Sequence, residues 1–202
     1  IFETIGHSFN GEKYILHAGD TSQFQRNTNK RIALNIGAGT QWRETRLWPR
    51  RHFANLARSL LNQGYEVELL GGDLEHDDNL SLNRETGAIY RGVSNYDTFF
   101  KRISECDVVL TSVTMALHVA LALEKRVVLF NNIFNKEEFH LYNLGQILQP
   151  DVQCVGCYKN QYDENCPVSN CMSQILPETV EKAIKKECAV LDEKIHSLPW
   201  VK

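Results

Sequence analysis

Between Lys30 and Phe130, short apolar runs alternate with segments of helical spacing, and that alternation constrains the fold more than any other feature. Arg31–Ile36, Tyr65–Leu70, Ala88–Gly92, Val108–Leu110 and Arg126–Phe130 read as strands. Between them, Phe53, Leu56, Ala57, Leu60 and Leu61 keep helical spacing after Pro49, a residue suited to a first helical turn, and Gly64 supplies the stop. His76–Glu85, Tyr96–Glu105 and Met115–Leu123 read as further helices, and Glu178–Lys194 as a terminal one. Strands separated by helices become parallel neighbours, because parallel pairing requires a crossover connection. The expected class is therefore α/β, a Rossmann-like parallel sheet with helices on both faces. Ligands in such sheets sit at the carboxyl ends of the strands.

Three strand ends carry residues suited to a ligand. After Val108–Leu110 come Thr111, Ser112 and Thr114, then a helix opening on Met115 and Ala116. The unpaired N–H groups at that helix start, with the positive end of the dipole, make a seat for phosphate. His118 lies one turn beyond Thr114, so both are candidates for one ligand. The plainer alternative is that the turn binds nothing and His118 packs. Gly37-Ala38-Gly39 follows the first strand, where glycines let backbone approach a ligand, although the third glycine of a dinucleotide fingerprint is missing. Gly71-Gly72-Asp73-Leu74-Glu75 follows the second, and Glu75 or Asp73 can accept two ribose hydroxyls, or else stand solvated in a loop. Arg50 and Arg51 sit at a helix start where cations are disfavoured, which points to a nearby anion or to a solvated surface. Asn131–Tyr142, with Phe134, Glu137, Glu138 and His140, follows a fourth strand onto the same rim.

Composition limits the partners. A net charge of −3 argues against a general nucleic-acid binder, and no apolar run reaches the ~18 residues of a membrane span. The chain starts at Ile1 with no signal-peptide pattern and reads as a piece of a longer protein. Residues 1–29 lack periodicity and read as an interdomain connection or linker, with one domain over residues 30–202 that includes a cysteine loop at 154–171 and the terminal helix. Cys154, Cys157, Cys166 and Cys171 form two close pairs, compatible with a structural zinc site, with two disulfides or with free thiols.

The stretch from Val113 to Ala122 resembles the sugar-nucleotide motif of the heptosyltransferases (glycosyltransferase family nine), approximately Asp-Thr-Gly-Pro-Met-His-apolar-Ala-x-Ala. Thr114, His118, Ala120 and Ala122 match it, while Val113, Met115, Ala116 and Leu117 stand where the family has Asp, Gly, Pro and Met. The Gly-Ala-Gly turn, Trp48-Pro49 preceded by the basic Arg46, the Gly-Gly turn with Glu75, and the cysteine-containing tail also resemble the family, in the same order, over about Lys30 to Val190.

The resemblance implies the C-terminal, donor-binding domain of a two-domain GT-B-type glycosyltransferase. Its implied substrate-binding residues are Gly37, Ala38, Gly39, Arg46, Gly72, Glu75, Thr114, Met115, Ala116 and His118. It implies metal-independent, inverting transfer of a heptose or other sugar from a nucleotide diphosphate such as ADP-heptose to a saccharide acceptor such as lipopolysaccharide core. No cofactor is required for that transfer. The location would be cytoplasmic, peripheral to the inner membrane through the acceptor. The general base is expected from the missing N-terminal domain, so none is assigned here. A non-catalytic nucleotide-sugar-binding module and a sugar-nucleotide epimerase on the same architecture are the alternatives.

Overall fold

The computed structural model describes residues 6, 8, 10–16, 29–39, 43–157 and 170–196. Five strands, β1 (Arg31–Asn35), β2 (Glu66–Leu70), β3 (Val108–Ser112), β4 (Arg126–Phe130) and β5 (Gly145–Leu148), form one sheet in the order β2-β1-β3-β4-β5. All four pairings are parallel. The helices are α1 (Arg43–Arg46), α2 (Arg50–Asn62), α3 (His76–Thr86), α4 (Tyr96–Ser104), α5 (Met115–Ala122) and α6 (Pro177–His196).

Alternation along each strand divides the core in two. Ile32, Leu34, Val67, Leu69, Val108, Leu110, Val128 and Phe130 join one cluster with Phe53, Leu56 and Leu60 of α2, Leu82 of α3 and Val180 and Ile184 of α6. Ala33, Leu70, Val109, Val127 and Leu129 join the other with Phe99 and Ile103 of α4 and Leu117 and Ala120 of α5. The expected parallel sheet with helices on both faces is thus the architecture. Among the described residues no helix is long and apolar enough to cross a membrane.

Two expectations change. The strand expected over Ala88–Gly92 is a single parallel bridge, Glu68↔Ile89. The Arg102 guanidinium donates to the carbonyls of Arg91 (2.9 Å) and Gly92 (2.7 Å), using acceptors that a longer ladder would need. β5 was not anticipated, because four residues give too short a run to show a period. Of the proposed connection at residues 1–29, the segment 10–16 lies against α5. Lys13 Nζ is 2.5 Å from Glu124 Oε1, and Leu16 packs on the second cluster. Residues 1–5, 7, 9 and 17–28 lie outside the described residues.

α6 is fastened at two points. Buried Arg126 of β4 is bonded to buried Glu187, with Nε at 2.7 Å, and Gln146 Nε2 donates to the same carboxylate at 2.7 Å. Nearer the helix start, Glu181 accepts from Ser59 Oγ (2.6 Å) and Gln63 Nε2 (3.0 Å) of the α2 region, and pairs with Lys185. Lys185 first, then Ser59 and Gln63, hold the Glu181 carboxyl down at about 2, against 4.5 as the ordinary value. A pKa depressed in the folded state contributes stability above the unfolded value, and that stability is lost as pH falls through 4.5 towards 2. Urea midpoints measured from about pH 5 down to about pH 2.5 should therefore fall less steeply for Glu181→Gln than for the unaltered chain. Parallel pH profiles would show that the Glu181 carboxylate gains nothing from these contacts on folding.

Candidate functional site

The chain leaves β1 to one side for β2 and returns to its other side for β3. The turns after β1 and β3 therefore diverge and open a crevice at the carboxyl edge. The floor of this crevice is polar. Asn35, the last residue of β1, is buried, and its Nδ2 donates to Thr111 Oγ1 (3.0 Å) and Thr114 Oγ1 (3.3 Å). The two threonine hydroxyls stand 3.1 Å apart. Thr114 is the N-cap residue of α5 in extended backbone, but its side chain makes no capping bond. The N–H groups of Met115 and Ala116 therefore open α5 without a side-chain acceptor from Thr114, at the positive end of the helix dipole.

The cleft has a volume of about 380 Å³, within the range of small-molecule sites. Gly37 and Gly39 line it from β1, Gly71, Gly72 and Glu75 from β2, and Thr114, Met115 and Ala116 from β3. Three strand-end turns chosen from sequence thus meet at one place. Glu75 is packed between two of them. A Cβ on Gly71 would lie 2.6 Å from Glu75 Cβ, so that turn requires glycine, while one on Gly37 would lie 2.9 Å from the Glu75 carboxylate and push it aside. The carboxylate accepts from the Gly72 N–H (2.8 Å) and from Arg43 Nη1 (2.5 Å).

Arg46 is buried beside the cleft and is not part of its lining. Its Nη2 donates to the Val113 carbonyl at 2.6 Å, its Nη1 would lie 3.4 Å from a Cβ on Gly39, and its guanidinium stands 5.1 Å from the Phe134 ring. Desolvation by burial lowers its pKa from the ordinary arginine value. This arginine fixes the backbone just before α5 and adds positive charge beside the helix start. Buried Ala38 lies between the two turn glycines.

His118 sits elsewhere. Four residues advance the helix by about 6 Å, and the ring lies outside the cleft lining, exposed, with Nδ1 3.1 Å from Tyr14 Oη. The anion expected near Arg50 is answered by protein groups instead, since Arg50 Nη2 contacts Glu85 (2.8 Å) and Ser81 (2.7 Å). Val113 packs its side chain against the second apolar cluster. Cys154 and Cys157 are half-buried. Cys171 is buried, and its Sγ accepts from Asn132 Nδ2 at 3.2 Å. Cys166 lies outside the described residues, among which no group of three or more His, Cys, Asp or Glu is placed to hold a metal.

Sequence reasoning missed Asn35, Arg43 and the α4 side of the cleft, formed by Ser94, Tyr96 and Phe99. Asn35 carried a signal, being a polar residue closing an apolar strand. Arg43 carried none, because the four-residue α1 is too short for a period.

Residues 9–164 match the profile of glycosyltransferase family 9 (heptosyltransferase). The chain belongs to that family. Over 108 residues it is 29% identical to lipopolysaccharide heptosyltransferase 2 of Salmonella typhimurium, a stretch covering 50% of this chain and 31% of the relative. Among solved structures, the E. coli heptosyltransferase WaaC with ADP-2-deoxy-2-fluoro heptose has a TM-score of 0.65 at 14% identity, over 91% of this chain and 52% of that one. The iron-containing dodecameric glycosyltransferase TibC from enterotoxigenic E. coli has a TM-score of 0.65 at 13% identity, over 86% of this chain and 50% of that one. These structural likenesses show the fold, and the chain spans about half the length of the solved relatives. Within this family 9 chain, the asparagine at the end of β1 joins the first and third strand ends. Asn35→Ala should lower the unfolding free energy by about 1–3 kcal/mol, because two hydroxyls lose their amide donor. Urea denaturation measures this, and a loss below about 0.5 kcal/mol would show that the bridge holds nothing together.

Proposed function

We propose that this chain is the C-terminal, donor-binding half of a two-domain heptosyltransferase and that its cleft holds a nucleotide-diphosphate sugar such as ADP-heptose. The observation that carries the reading is the convergence of three strand-end turns on one cleft that contains the start of α5, with the Arg46 charge beside it. N–H dipoles aimed at a diphosphate stabilise the charge that develops as the sugar leaves. The reaction is transfer to a saccharide acceptor such as lipopolysaccharide core, with inversion, at the cytoplasmic side of the inner membrane where the acceptor resides. A base must remove the acceptor proton, and the missing N-terminal domain is assigned that role. Leaving-group charge is met by Arg46 and the helix dipole, so the transfer is metal-independent in this reading. The reference structure WaaC carries an ADP-heptose analogue, and the relative from Salmonella is a lipopolysaccharide heptosyltransferase; both agree with this donor and acceptor class.

Glu75, held by Arg43 and the Gly72 N–H, faces the ribose hydroxyls with its remaining acceptor capacity. Val113 replaces the family acid expected to face the donor sugar and turns its side chain into the core, so most of the binding free energy comes from the nucleoside diphosphate. Calorimetry with ADP and adenosine tests the diphosphate seat. Arg46→Ala should weaken ADP roughly two- to thirtyfold, the effect of losing a positive charge beside the dipole end of α5, with little effect on adenosine. A chelator should leave the ADP affinity of the unaltered chain unchanged. Equal losses for both ligands would remove Arg46 from the diphosphate seat, and loss of ADP binding on chelation would contradict metal-independent binding.

A further inference from the structure

The arginine beside the cleft is carried by an element that cannot hold itself in place. Arg46 is the last residue of α1, a single turn closed by the Leu47 N–H on the Arg43 carbonyl at 3.1 Å. One turn fixes several backbone angles for very few hydrogen bonds, so α1 on its own would not persist. Groups from other elements set its place instead. Arg43 reaches Glu75 after β2, and Arg46 reaches the Val113 carbonyl after β3. From the turn after β4, Asn132 Nδ2 donates to the Thr45 carbonyl at 2.7 Å, one of the carbonyls a helix end leaves without an internal partner. Asn132 takes no part in the cleft lining.

Asn131 and Asn132 directly follow β4, and both are buried. Two consecutive buried amides at the end of an apolar strand each need hydrogen-bond partners. Asn132 is gripped from more than one side. Besides Thr45, its Nδ2 donates to Cys171 Sγ at 3.2 Å, and its backbone carbonyl accepts from the Gly156 N–H at 2.7 Å. Asn131 folds the next turn, with Nδ2 donating to the Phe134 carbonyl at 2.9 Å and Oδ1 accepting from the Phe134 N–H at 3.1 Å. That clamp fixes the backbone carrying the Phe134 ring, which stands 5.1 Å from the Arg46 guanidinium, within range of cation–π attraction. One amide thus holds the helix that carries Arg46, and the other holds the ring that faces its charge.

We infer that Asn131 and Asn132 are positioning residues for Arg46, acting on nucleotide binding through that arginine and not by touching the ligand. This rests on the nucleotide-binding reading of the cleft. A buried guanidinium has given up its water, so it stays in place only where carbonyl oxygens and a π-face stand in for that water. Arg46 also holds the Val113 carbonyl just ahead of α5. Loosening α1 therefore disturbs two things together, the charge beside the α5 start and the backbone leading into it.

The test is a double-mutant cycle read by calorimetry with ADP and adenosine, on the unaltered chain, Asn132→Ala, Arg46→Ala and the two combined. Asn132→Ala should weaken ADP roughly two- to tenfold, no more than Arg46→Ala does, and leave adenosine unchanged. In the Arg46→Ala background it should cost no further ADP affinity, because the group it acts through is gone. A merely structural role would weaken both ligands alike and would persist in that background. Asn132→Ala also removes a buried donor, so Phe134→Leu provides a second probe that depends less on folding. Phe134 is half-buried, and leucine keeps an apolar side chain there while removing the ring. This substitution should likewise weaken ADP selectively, and only while Arg46 is present. If ADP binds the unaltered chain but neither loss depends on Arg46, the inference is overturned and the nucleotide reading stands. If the unaltered chain binds no ADP, the nucleotide reading and this inference are overturned together.

Discussion

A single amide at the point where strand order reverses organises this molecule. Asn35 closes β1 and reaches the hydroxyls of Thr111 and Thr114, which end β3 and begin α5. That reach joins the two turns that the topology drives apart, and it occupies the hydroxyl that would otherwise cap the helix. A Thr114 that capped α5 would consume the N–H groups an anion needs. Because its hydroxyl is bound sideways to Asn35 and Thr111, the dipole end stays open to the cleft. The parallel sheet thus both creates the crevice and keeps its electrostatic floor available.

Charge around the crevice falls to one ion pair and one buried arginine, with different tasks. Arg43 and Glu75 form a pair pinned by two glycine turns, which keeps a carboxylate at the cleft while removing most of its freedom. Arg46 is committed to the Val113 carbonyl, and its positive charge sits behind the start of α5 without a long side chain crossing the cleft. The dipole end of α5, with the Arg46 charge behind it, suits the crevice to an anionic group.

The fold was legible because parallel sheets buried on both faces need apolar strands and spaced helices, and this chain has both from Arg31 to Phe130. The turns after β1, β2 and β3 were legible because glycine and threonine at strand ends are locally diagnostic. What stayed hidden depended on tertiary placement. The single-bridge segment at Ile89 looks like a strand, and only the Arg102 guanidinium on its carbonyls shows why it stops. His118 has the spacing from Thr114 expected for a shared ligand, and only the fold shows that its ring meets Tyr14. Tyr96 reads as one more residue on an amphipathic helix until the fold brings α4 beside the glycine turns.

The central claim is that the start of α5 seats a diphosphate within this cleft. A crystal structure of the chain grown with ADP tests it most directly. The account predicts diphosphate oxygens within hydrogen-bonding distance of the Met115 and Ala116 N–H groups, with the ribose beside Glu75. ADP seated instead in the second opening, the roughly 510 Å³ cleft lined by Arg43, Arg50 and Arg51, with the α5 start bare, would contradict it.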